Sequence, residues 1–136
     1  MKTRFLLCTC ALMLGLAIVG FADDAADQYD KLMKPAIAAN MALQKNITTD
    51  LAATAMNATD LQAAFAKIEA YWAMKNVADA QMFAKNIQQA AADVHTAAVA
   101  GNKDDAAAAA KKIAANCGSC HMAHRNREAD GSYTIK

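Results

Sequence analysis

The residues of this chain whose types and spacing could do chemistry stand together near its end, as Cys117-Gly118-Ser119-Cys120-His121. C-x-x-C-H is the attachment signature of c-type haem. In that chemistry each thiol adds across one haem vinyl group to form a thioether, and the imidazole of the following histidine ligates the iron. On a helix, residues three apart share a face, so both sulfurs can reach one side of the porphyrin edge while His121 turns its ring beneath the metal. A thioredoxin-type redox dithiol shares the C-x-x-C spacing but belongs near a βαβ pattern, which this sequence lacks. A zinc site needs a second ligand pair at metal spacing, and that is missing too.

The motif needs a scaffold, and the composition says which kind. The chain has 136 residues, one domain's worth, of which 56% are hydrophobic, with five glycines and one proline. An alanine-rich chain so poor in helix breakers reads as all-α. The formal net charge is +1. No basic stripe or run is present, so nucleic-acid binding is set aside on sign and on pattern.

Residues 1–22 read as a signal peptide that is removed. Lys2 and Arg4 form a short positive region, Phe5 to Val19 is an apolar run, and Gly20-Phe21-Ala22 places small residues where a signal peptidase cuts. The run is shorter than the ~20 residues that span a bilayer, so no stable membrane anchor is expected after cleavage. Loss of Lys2 and Arg4 leaves the mature chain, residues 23–136, near −1. Cys8 and Cys10 leave with the leader, so the mature chain keeps only the two motif cysteines and has no internal disulfide to form. Export agrees with haem attachment, which in bacteria takes place outside the cytoplasmic membrane, and the expected location is the periplasm.

Four helical segments follow. The first runs from about Asp24 to Ile47, with Tyr29, Met33, Ile37 and Met41 at helical spacing. Pro35 either kinks it near Met33 or marks where the helix proper begins. Thr48-Thr49-Asp50 punctuates the chain, a short helical piece to Met56 is expected to follow, and Thr59-Asp60-Leu61-Gln62 reads as a capping box opening the second main helix, which Lys75-Asn76 ends. The third segment, Val77 to Ala100, finishes at Gly101, a C-cap glycine. Asn102 caps the fourth helix, with Asp104 and Asp105 in its first turn, and that helix is expected to run to about Arg127. The tail from Glu128, despite an Asp130-Gly131 turn signal, is expected to be poorly ordered, and a single run such as Tyr133 to Ile135 cannot make a sheet alone. Short connections between four amphipathic helices predict an antiparallel up-down-up-down bundle with the haem near the end of the last helix.

That topology places the start of helix one, the end of helix two, the start of helix three and the end of helix four at one level. The expected pocket lining is therefore Tyr29, Met33 and Ile37, with Ile68, Tyr71 and Trp72, and with Met82 and Phe83. His95 lies roughly 18 Å along its helix from this layer and is read as an ordinary partly exposed histidine. Met41 is some 12 Å up the helix from Met33 and is read as core filler. Arg125, one turn beyond His121, either screens the proximal pocket or pairs with a haem propionate, with a solvated surface arginine as the alternative.

Over its whole mature length the chain resembles the cytochrome c′ family of four-helix-bundle c-type cytochromes. The features that carry the resemblance are the leader, four helices and a C-terminal motif followed by arginine, Cys117-Gly118-Ser119-Cys120-His121-Met122-Ala123-His124-Arg125. His124 stands where an aromatic residue is common. In low-spin members of that family a methionine of the first helix is the second axial ligand, and Leu32-Met33-Lys34 looks like that segment. High-spin members carry an apolar residue there and leave the distal face free. The resemblance thus implies His121 and Met33 as iron ligands, with Met41 or an open distal site as alternatives. It implies one covalent haem c and single-electron carriage to a redox partner protein. The alternative activity is a five-coordinate cytochrome c′ that binds nitric oxide or other small gases. Homodimers through the first two helices are common in the family. No paired carboxylates or nucleophile–base set points to an enzyme.

Overall fold

Long alanine-rich stretches interrupted at only three places fold as four helices, seen in a computed structural model that describes residues 21–136, with side chains from residue 26 onward. The expected leader, with Cys8 and Cys10, lies outside the described residues except for the backbone of its last two positions. The helices are α1 (Phe21–Asn46), α2 (Leu51–Met74), α3 (Ala78–Val99) and α4 (Lys103–His124). They form an antiparallel four-helix bundle in which α2 packs on α1 and α3, and α3 on α4, while α1 and α4 scarcely approach each other. No described helix is long and apolar enough to cross a membrane.

The helix ends explain the register. At the end of α2, Asn76 takes the left-handed conformation with φ 57°, and its N–H and that of Val77 donate to Ala73 and Trp72 carbonyls. Gly101 repeats this after α3 with φ 77°, its N–H and that of Asn102 donating to Ala98 and Ala97. Each pair is a Schellman cap, which closes orphan carbonyls and reverses the chain. Asn102 then caps α4, its Oδ1 accepting from the Asp105 N–H at 3.1 Å.

Three expectations about the elements are corrected. Helix α2 starts at Leu51, capped by the Asp50 carboxylate, which accepts from the Ala53 N–H at 2.9 Å. Thr59 lies inside that helix and its hydroxyl donates back to the Ala55 carbonyl, so Thr59 to Gln62 opens nothing. The helix continues through it because Thr54 and Ala58 upstream are fully buried and hold the first turns in the bundle. Pro35 neither ends nor starts α1, since the ring sits on the exposed side and Ala36 and Leu43 beside it are buried in the core. Helix α4 stops at His124 rather than Arg127, and the tail is ordered. Arg125–Arg127 (β1) pairs antiparallel with Tyr133–Ile135 (β2) around a turn with Gly131 at φ 87°.

The inner stripe of α1 is also corrected. Tyr29, Ala36, Leu43 and Ile47 are buried, whereas Ile37 is 50% and Met41 68% exposed, so Met41 is not core filler. A step of four residues turns 400°, and each such step drifts about 40° off the face, so the run 29-33-37-41 leaves the core by its third member. Met82 of α3 is likewise half exposed. The core is otherwise built from Leu61, Ile68, Ile87, Val94 and Ile113, spaced by alanines such as Ala58, Ala80, Ala91 and Ala106.

Two substitutions separate the true start of α2 from the false one. Asp50→Ala is expected to lower the free energy of unfolding by about 1 kcal/mol through loss of the cap. Thr59→Ala should change it by less than about 0.5 kcal/mol. Urea denaturation followed by far-ultraviolet circular dichroism measures both.

Candidate haem-attachment site

The motif occupies the last two turns of α4, a helix whose N-terminal half is anchored by buried Ala106, Ala109, Ala110 and Ile113. Both cysteines are free thiols and half-buried, and Cys117 packs against the core. Burial raises both thiols above their ordinary range. Cys120 is pushed up to about 11, by burial first and then by Cys117 and the carboxylate of Asp79. Cys117 is raised for the first of these reasons. Both shifts favour the protonated thiol at neutral pH, the opposite direction from the depressed values that mark exchange-active dithiols. His121 moves down, chiefly through burial and then through the positive charge of Arg125, so the imidazole is held neutral with a lone pair to give.

Around the motif the bundle closes with aromatic rings. Tyr29 of α1 and Tyr71 and Trp72 of α2 form a triangle with centroid separations of 5.1 to 5.3 Å. The buried Trp72 indole N–H donates to the Tyr29 hydroxyl at 3.3 Å. On its other side Trp72 meets the His124 ring at 5.3 Å, and His124 Nε2 lies 3.0 Å from Asp79 Oδ2 at the start of α3. The start of α1, the end of α2, the start of α3 and the end of α4 are therefore at one level. Burial is the main reason that Tyr29 ionises at about 12, and the neighbouring thiols of Cys120 and Cys117 add to the shift.

Of the residues expected at the site, the structure brings Tyr29, Trp72, Cys117 and Cys120 together. Met33 is half-buried and packs against the core, Ile68 is buried in it, and Phe83 is half-buried on α3. Ile37 points away, as described above. His95 is exposed. Arg125 is half-buried, and its guanidinium carbon sits 3.3 Å from the centre of the Tyr133 ring. Sequence reasoning missed the pair His124 and Asp79, which are 45 residues apart. The only available signals were an acidic residue in the first turn of α3 and a second histidine one turn after Cys120.

The residues present fit a covalent haem. Two unbridged thiols lie one turn apart, a neutral imidazole follows them, and Tyr29 of α1 stands beside the thiols. Among the described residues no group of three or more His, Cys, Asp or Glu side chains gathers to hold a bare metal ion. No protein-family model matches the chain, and neither the curated proteins nor the solved structures contain a match to it.

Tyr29 gives a test of the aromatic layer. Tyr29→Phe leaves the buried Trp72 N–H without its acceptor and is expected to cost about 1–3 kcal/mol in urea denaturation. Tyr29 ionises near 10 in the unfolded chain and at about 12 in the fold. Its contribution is therefore complete below pH 10 and is lost as pH rises toward 12. Tyr29→Phe should flatten that alkaline decline.

Proposed function

We propose that the protein is an exported c-type cytochrome of the cytochrome c′ kind that carries single electrons. The observation that supports this most is the pairing of two half-buried, unbridged thiols one turn apart with a half-buried histidine on one helix end, closed in by Tyr29 and Trp72. Cys117 and Cys120 hold the cofactor by thioether bonds, and His121 supplies the proximal nitrogen. When bound, haem supplies a one-electron iron couple. Met33 supplies the distal sulfur, on α1 across from α4, and a thioether in that position raises the potential relative to a second imidazole. Tyr29, Tyr71 and Trp72 exclude water from one flank of the site. With His121 and Met33 both holding the iron, the chain would leave no place there for a substrate, and the bound haem would exchange electrons with a partner redox protein. The leader sequence supports a periplasmic location. Exposed Ile37, Met41 and Met56 on α1 and α2 support a homodimer through those helices.

Covalent attachment predicts that acid–acetone leaves the haem on the polypeptide and that the denatured protein titrates for no free thiol. Release of the haem, or two titratable thiols, would refute it. The distal ligand is tested by Met33→Leu, which keeps apolar volume and removes the sulfur. The wild type is expected to be low-spin and slow to bind carbon monoxide, and the variant high-spin and quick to bind it. A wild type that already binds carbon monoxide rapidly would replace electron carriage with the gas-binding reading.

A further inference from the structure

The residues beyond the motif fold back onto the helix that carries it. The backbone N–H of Lys136 donates to the His124 carbonyl at 2.9 Å, and its ammonium donates to the Met122 carbonyl at 3.2 Å. The Arg125 N–H donates to the carbonyl of His121 itself. Two of the carbonyls that a helix C-terminus leaves without partners are thus closed by the last residue of the chain. Ile135 packs against the core, and Thr134 donates to the Glu128 carboxylate at 2.6 Å, so the hairpin is fixed at both ends.

Arg125 pairs with Ile135 in the ladder, and Tyr133 stands two residues along on the same face, the diagonal position within reach of a long side chain. The guanidinium carbon lies 3.3 Å from the centre of that ring. A guanidinium is charged at every relevant pH and is weakly hydrated enough to stack on an aromatic face. Arg125 is four residues from His121, with its backbone N–H on the His121 carbonyl, so its charge is carried about one turn from that imidazole. Without the ring it would sit on a long flexible side chain at the surface, where water and salt screen it.

We propose that Tyr133 is a positioning residue for the haem iron, its ring holding the Arg125 charge beside His121 and so setting the reduction potential. The inference rests on the haem reading above. A fixed positive charge near the iron opposes the more positive ferric state and favours the ferrous one, which raises the potential. Tyr133 touches neither the cofactor nor its ligands in this account and acts through Arg125.

The test is spectroelectrochemical titration of the full-length, haem-loaded protein. Tyr133→Leu, which keeps apolar bulk without the ring face, should lower the midpoint potential, and Tyr133→Phe should leave it at the wild-type value. Arg125→Gln should lower it as well, and adding Tyr133→Leu to Arg125→Gln should produce no further shift. A wild-type potential in Tyr133→Leu, or an equal shift from Tyr133→Leu in both backgrounds, would overturn the proposal, the second outcome marking a merely structural role. A readout independent of the haem is the ring-current displacement of the Arg125 side-chain protons, retained in Tyr133→Phe and lost in Tyr133→Leu. A chain that carries no haem after denaturation would overturn the haem reading and this proposal with it. Intact haem, a normal ring-current displacement and an unmoved potential would overturn this proposal alone.

Discussion

From Tyr29 to Asp79 a single run of contacts crosses all four helices. The tyrosine hydroxyl accepts from the Trp72 indole, the indole packs on His124, and His124 meets the Asp79 carboxylate. Each link joins a different helix pair, so the run fixes four helix ends at one level. Ring pairs of this geometry contribute about 0.5–1.5 kcal/mol each beyond the area they bury. The indole N–H is buried, so its only acceptor cannot be lost without leaving a polar group stranded. The run brings the end of α4, which carries Cys117 and Cys120, to the level of Tyr29.

The distribution of side-chain size reinforces the arrangement. Buried aromatics, Tyr29, Phe65, Tyr71 and Trp72, lie toward the motif end beside buried Ala36, Ala80 and Ala84, while Leu43, Ala58, Ala98 and Ala106 fill the opposite end. Interaxial distance depends on the side chains at the contact. Tyr29 on α1 and Tyr71 and Trp72 on α2 meet at the level of the motif, where α1 is packed on α2.

The chemistry of the site comes from burial more than from charge. Burial is the first cause of the upward shift of both thiols and of the downward shift of His121. Desolvation disfavours thiolate and imidazolium alike, so one environment keeps the sulfurs protonated and the imidazole neutral. The Arg125 charge adds to this at His121, and the C-terminal hairpin is what gives that charge a fixed place.

Local sequence determined the Cys117-to-His121 motif, the number of helices, the caps at Asn102 and Gly101, the stop at Lys75-Asn76 and the shared level of the helix ends. All of these depend on residues a few positions apart, whose side chains meet their partners within one turn. Tertiary structure decided the rest. Asp50 and Thr59 are both competent N-caps, and only the buried partners of Thr54 and Ala58 make the first one the start of α2. On α1 the apolar spacing fitted Ile37 and Met41, but the stripe that meets α2 turns through Ala36 and Leu43. The strands Arg125–Arg127 and Tyr133–Ile135 are too short to hold by themselves, and exist because Lys136 closes the end of α4 and Ile135 reaches the core. His124 and Asp79 meet across two helices and a turn. A contact between residues so far apart in the chain leaves no local spacing to read, because packing of the whole bundle creates it.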